Sequence, residues 1–241
     1  MIVLSIGTTH PWNVAGTGRD LVVGGALGAR VFTAVAAVSA QDAGGVIALG
    51  ATAPELFVAQ LRALPWQSAQ AVRVGALPTA QAVRAVSALL RERPDLPAVV
   101  DPVFAASRGG ELSDAGGRTA LRDELAVLSN VLLTPNLAEA AAMLGWEGVE
   151  RDTQGEAAKR LRERGARAVL LTGGHLAGDP ADALATAAGL EIFCEPRIGG
   201  SMHGTGCTLA MALACELAAG AALSDAVLAA RSFVRAEIAK H

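Results

Sequence analysis

Apolar residues fall along the chain in two alternating patterns: short continuous runs that stop at glycine or polar residues, and longer segments whose apolar positions repeat at helical spacing. The first run, residues 2–6, stops at Gly7 and fits a buried parallel strand. A loop rich in polar and glycine residues follows from Thr8 to Gly18, and a helix is predicted to begin near Arg19 and Asp20. The run 31–38 carries β-branched positions and leaves Gln41 and Asp42 where the strand exits its sheet. Further strands are predicted at 72–75, 98–100, 130–133 and 168–171.

Helices are predicted between them. Thr52, Pro54 and Glu55 read as cap, first-turn proline and capping-box acid for a helix over 54–64. Thr79 caps a segment whose apolar positions Val83, Val86, Leu89 and Leu90 share one face. Helices at 118–128 and 137–144 come next, and Thr153 with Glu156 reads as a capping box opening a helix that ends at Gly165. The segment 183–196, divided by Gly189, predicts two short strands in a hairpin, and Ser224 with Asp225 predicts the cap of a last helix running to the C-terminus.

At least five strand-then-helix units in succession predict an α/β fold with a mostly parallel central sheet and helices on both faces, because parallel neighbours need crossover connections. No linker interrupts the units, so one domain over residues 1–241 is expected. Ligand loops of such a sheet collect at the carboxyl ends of its strands. That gathers Thr8 to Gly18, Gln41, Gly75 and Ala76, Asp101 to Val103, Asn136 to Glu139, Thr172 to His175 and Gly204 to Cys207 into one crevice.

Composition narrows the function classes. A hydrophobic fraction of 52% with 18% charged residues excludes disorder. The net charge of −3, without blocks of like charge, offers no footprint for nucleic acid or an anionic membrane. Met1 is followed by apolar residues without a basic lead, and no uninterrupted apolar stretch reaches the ~18 residues of a membrane span, so a soluble protein is expected. Three cysteines are too few and too irregular for a disulfide framework or a zinc site, which points to a reducing cytoplasm.

The chemistry concentrates in Gly199-Gly200-Ser201-Met202-His203-Gly204-Thr205-Gly206-Cys207-Thr208, which runs into the Ala-rich apolar segment 209–219. It reads as a glycine loop opening a buried helix, whose first N–H groups attract anions. Cys207 in the first turn reads either as a thiolate base favoured by the macrodipole, suited to taking a hydroxyl proton during phosphoryl transfer, or as a small buried hydrophobe.

Together, Ser39-Ala40-Gln41, Asp101-Pro102-Val103, Thr134-Pro135-Asn136-Leu137-Ala138-Glu139-Ala140, Gly173-Gly174-His175 and His203-Gly204-Thr205-Gly206-Cys207-Thr208 resemble the hydroxymethylpyrimidine/phosphomethylpyrimidine kinases of thiamine biosynthesis. These belong to the ribokinase-like superfamily, and the resemblance implies that fold, ATP and Mg²⁺ as cofactors, a small pyrimidine acceptor and a homodimer. It implies Cys207 as base, with Gly204, Thr205 and Gly206 around the transferring phosphoryl. Asp101 and Glu139 would act on the metal, Asp20, Gln41, Ala76 and Val103 would hold the pyrimidine, and Asn136, Thr172, Gly174 and Arg108 would face the nucleotide. Each residue also has a local reading: Asn136 and Glu139 form a capping box, Gln41 can bond nearby backbone, and Asp20 can be a first-turn helix acid.

The sequence departs from the family at the first loop, where His10 replaces an acid and Trp12 and Asn13 replace small residues, and at Thr172, where the family places Lys. Those departures leave two alternatives to a pyrimidine kinase: a pyridoxal-type kinase of the same fold, and a regulator that binds the pyrimidine without turnover.

Overall fold

Six parallel strands make the middle of one nine-stranded sheet, in a computed structural model that describes all residues except 43, 107, 108, 175–177 and 241. The expectations for Arg108 and His175 therefore lie outside the described residues. β1 (Ile2–Thr9) runs between β2 (Arg30–Asp42), which continues outward to β3 (Gly45–Ala51), and β4 (Ala71–Val74) on its other side. Beyond β4 come β5 (Ala98–Val100), β6 (Val131–Leu133) and β7 (Ala168–Leu171), all parallel. Antiparallel strands finish both edges: β3 beside β2, and the hairpin of β8 (Ala181–Thr186) and β9 (Gly189–Cys194) beside β7. The mostly parallel sheet and its terminal hairpin are as the sequence predicts.

Strand alternation sends successive side chains to opposite faces and so builds two cores. Leu4, Ile6, Val72, Val74 and Val100 face α2 (Pro54–Ala63), α3 (Ala80–Glu92), α4 (Ala115–Ala120), α5 (Leu137–Leu144) and α6 (Gln154–Glu163). Val3, Ala71, Val99 and Leu170 face α1 (Gly16–Ala26), α7 (Thr205–Ala218) and α8 (Leu223–Ile238). α7 is apolar nearly all round because it is sandwiched between the sheet and its neighbours, with residues 209–215 buried throughout. Among the described residues, no helix is long and apolar enough to cross a membrane.

Several local expectations are corrected. α1 begins at Gly16, ahead of Arg19. The Thr52 hydroxyl donates to the Val35 carbonyl instead of capping α2, and Ala53 takes the cap position. The Thr153 hydroxyl bonds Glu150, so the capping box expected there does not form. The Ser224 hydroxyl donates to Glu191 of β9, leaving Ala222 at the start of α8. The predicted helix at 118–128 is a short α-helix followed by one π-helical turn, Leu121–Leu125. The caps at Thr79 and Asn136 form as expected.

Candidate active site

The carboxyl ends of the parallel strands open into a cavity of about 820 Å³, lined from Thr8 and Gln41 through Asp101 and Cys207 to Ile198 and Val234. Two loops meet at its wall. Gly204 caps α7 with φ 77°, and a side chain there would come within 2.0 Å of the Val14 carbonyl in the first loop, so only glycine allows the approach. The Thr208 hydroxyl donates back to the Gly204 carbonyl (2.8 Å) and accepts from Arg19 Nε (3.0 Å), which fixes the start of the helix. Gly204, Thr205 and Gly206 all line the cavity, and the space a Cβ of Gly206 would occupy is open.

Cys207 is the third residue of α7, partly exposed on the cavity wall. Desolvation by its neighbours, with the Asp101 and Asp20 carboxylates adding to it, pushes its thiol up to about 11 against the opposing pull of Arg73. The expectation of a resting thiolate is therefore corrected: the helix start is outweighed by burial and by two nearby carboxylates. These surroundings favour the thiol over the thiolate.

Asp101 leaves β5 for the cavity, and its Oδ2 accepts from Arg73 Nη2 at 2.8 Å. Burial raises its carboxyl. Glu139 also faces the cavity, and its capping box is complete: Oε2 accepts the Asn136 N–H (2.8 Å) while Asn136 Oδ1 accepts the Glu139 N–H (2.9 Å). Burial, and then the charge of Asp101, push the Glu139 carboxyl up to about 8. The two readings of Glu139 thus coexist: it caps α5 and shares an electrostatic field with Asp101. Among the described residues no three acidic, histidine or cysteine side chains form a metal cage.

Of the residues expected around the heterocycle, Gln41, Ala76 and Val103 line the cavity. The Gln41 Nε2 donates to Ser39 Oγ (2.7 Å), and the Thr8 hydroxyl donates to the Ala76 carbonyl (3.2 Å), so both are oriented by neighbours. Asp20 does not reach the wall. It is fully buried behind Arg73, accepting from Ser5 Oγ (2.6 Å) and lying 3.3 Å from Arg73 Nη1, and burial pushes its carboxyl up to about 6.

Of the residues expected to face the nucleotide, Asn136, Thr172 and Gly174 line the cavity. The Thr172 N–H donates to the Pro135 carbonyl (2.9 Å), and the Gly173 N–H donates to Asp182 Oδ1 (2.9 Å). In the first loop His10 is buried, its Nε2 accepting the Ala15 N–H (3.2 Å), and burial lowers its pKa. Trp12 stands 57% exposed beside the cavity, and Asn13 is held at φ 52°.

Two groups escaped the sequence reading. Arg73 lies in β4 among apolar residues and belongs to the largest fully buried side chains, yet it forms part of the cavity lining. Arg231 of α8 pairs with Asp182 through Nη1 and with Glu195 through Nη2 (3.2 Å), also at the cavity. Their signal was a lone charge inside an apolar strand, at 73 and at 182, since such a charge must be paired when buried.

Comparison with known proteins follows the same lines. The sequence model of a family described as phosphomethylpyrimidine kinase matches residues 11–241. The chain is 36% identical to the hydroxymethylpyrimidine/phosphomethylpyrimidine kinase of Streptomyces coelicolor, over 98% of its own length and 88% of that protein's. It is also 36% identical to the thiamine biosynthesis bifunctional protein ThiED of Geobacter sulfurreducens, covering 98% of this chain and 49% of that one. It therefore spans about half the length of that bifunctional relative. Among solved structures, the ADP complex of Bacillus subtilis pyridoxal kinase superposes with a TM-score of 0.87 at 29% identity, covering 96% of this chain and 89% of that one. Phosphomethylpyrimidine kinase of Clostridium difficile shares the fold with a TM-score of 0.85, 24% identity and 99% coverage of both chains.

Proposed function

Because the chain belongs to the phosphomethylpyrimidine kinase family, a family of phosphotransferases, we propose that it transfers the γ-phosphoryl of ATP to the hydroxymethyl group of 4-amino-5-hydroxymethyl-2-methylpyrimidine, to the phosphate already on it, or to both. The observation that carries this reading is the seat of Cys207, one side chain beyond the Gly204 to Gly206 loop and against Asp101 and Arg73 at one cavity. The loop N–H groups steady charge on the moving phosphoryl; the Cys207 thiol first gives its own proton to solvent, and the thiolate so formed takes the hydroxyl proton as the oxygen bonds to phosphorus and the bond to ADP breaks.

The residues present fit Mg²⁺. Asp101 and Glu139 face the same cavity and the charge of Asp101 raises the proton affinity of Glu139, a repulsion that a hard cation relieves, and such a cation is commonly held by one or two carboxylates together with substrate phosphates. When bound, Mg²⁺ would neutralise phosphate charge, and the Asp101 and Glu139 carboxylates would hold and orient it.

Gln41, with its amide turned by Ser39, and the apolar walls of Ala76 and Val103 form the pyrimidine seat in this reading. The exposed Val38 and Ile47 on β2 and the edge strand β3 support a homodimer. Three free cysteines, one of them the exposed Cys194, support a reducing cytoplasm. Release of ADP with the pyrimidine alcohol, its monophosphate and pyridoxal as parallel acceptors tests the function. Turnover of the pyrimidines above pyridoxal is expected; preference for pyridoxal would reassign the acceptor, and no turnover with any would leave only a binding role.

A further inference from the structure

Arg73 is buried to 1% exposure in β4, on the face of the sheet that packs against α1 and α7. Its guanidinium is divided between two carboxylates: Nη1 lies 3.3 Å from Asp20 Oδ2 and Nη2 lies 2.8 Å from Asp101 Oδ2, and the Cys207 thiol lies beside both Arg73 and Asp101. Behind it, Asp20 is held by the Ser5 hydroxyl. The chain makes room for this arrangement, since a Cβ on Gly75 would fall 2.0 Å from Arg73 Nη1.

Such a cluster is a poor way to stabilise a core. Apolar residues of the same volume do as well or better, and two carboxylates on one guanidinium leave excess charge in a region of low dielectric. Its geometry serves something else. Asp101, Arg73 and Cys207 line the cavity, while Asp20 touches it only through Arg73. The planar fork of arginine reaches the two carboxylates from two separate nitrogens in fixed geometry, which the single nitrogen of lysine cannot.

We propose that Asp20 and Arg73 are a positioning pair for the transfer centre: Asp20 fixes the guanidinium, and the guanidinium fixes the Asp101 carboxylate and the Cys207 sulfur where the cavity needs them. Asp20 then acts through Arg73 and makes no contact with the acceptor heterocycle. The role of the pair in turnover rests on the kinase reading above.

The test compares Asp20→Asn, Arg73→Lys and the double variant Asp20→Asn/Arg73→Met, which removes one charge of each sign. Gly75→Ala is the fourth variant; it keeps every charge and displaces the guanidinium. Melting temperature identifies the variants that fold, and rates are taken well below it. The expected result is a kcat reduced about tenfold or more in each folded variant, with KM for the pyrimidine alcohol within about twofold of the parent. A purely structural pair would lower melting temperature and leave kcat per folded molecule unchanged, and that outcome overturns the proposal. So does a tenfold rise in KM with kcat intact in Asp20→Asn, because it would put Asp20 on the substrate. Calorimetric titration of the alcohol into Asp20→Asn reads the same contrast without turnover: an unchanged Kd is expected and a tenfold loss overturns. Failure of the kinase reading, seen as no ADP release by the parent protein, is thereby kept separate.

Discussion

At the scale of single residues, the proposed base and the phosphate side make distinct demands. Cys207→Ala should reduce turnover by about 10² or more with nucleotide binding near the parent value, measured by steady-state rates beside ATP titration. Unchanged turnover would return Cys207 to the role of a wall residue. Thr172 occupies the cavity where the family resemblance implies a lysine. Thr172→Lys should tighten ATP or raise the rate, by the roughly 1.5–3 kcal/mol of a hydrogen bond to a charged group, read from KM for ATP and from kcat. Glu139 sets a pH dependence whose sign is fixed. Its carboxyl moves from an ordinary value of 4.5 up to about 8 on folding, so the folded protein holds the proton more tightly than the unfolded chain. The stability this confers is complete below 4.5 and is lost as pH rises through about 8. Glu139→Gln should flatten that loss between these limits in denaturant titrations, while an unchanged slope would show that other carboxyls carry it.

At the scale of elements, what could be read in advance depended on whether local signals had competitors. The strands at 98–100 and 168–171 and the helix Leu137–Leu144 were legible because each pairs an apolar run with clear stops on both sides, and the cap of Asn136 and Glu139 has no rival partner. Thr52 and Ser224 carried the same cap signal and were diverted by tertiary partners, Val35 and Glu191, that a local window cannot supply, whereas Thr153 turns back to Glu150, three residues before it. β3 was illegible because an edge strand of Gly, Val, Ile, Ala and Leu lacks the alternation that one buried face imposes. The candidate site was legible where loops leave parallel strands, since topology alone brings those ends together. Arg73 was not: its partners Asp20 and Asp101 come from α1 and from the end of β5, and only the fold makes them neighbours. The raised proton affinity of the Cys207 thiol was unreadable for the same reason, being set first by burial, against the pull of Arg73, and then by Asp101 and Asp20, all far away in sequence.

At the scale of the whole molecule, the sheet ends in β3, which bears Ile47 at 68% exposure, and its neighbour β2 bears Val38 at 56%. Exposed apolar side chains beside a sheet edge invite pairing with a second copy. Ile47→Lys should shift sedimentation from dimer to monomer with the fold kept; a monomeric parent protein would dismiss the dimer outright.

The contact between Gly204 and the Val14 carbonyl reaches further than its own loop. It brings the first loop and the glycine loop, which the proposed function places beside acceptor and phosphates, backbone against backbone, so a shift of one presses on the other. Occupancy of the two halves is then thermodynamically linked: whatever factor ADP applies to the affinity of the alcohol, the alcohol must apply to ADP. Calorimetry of each ligand with and without the other should give equal factors different from one, and Gly204→Ala, which forces the segments apart, should bring both toward one.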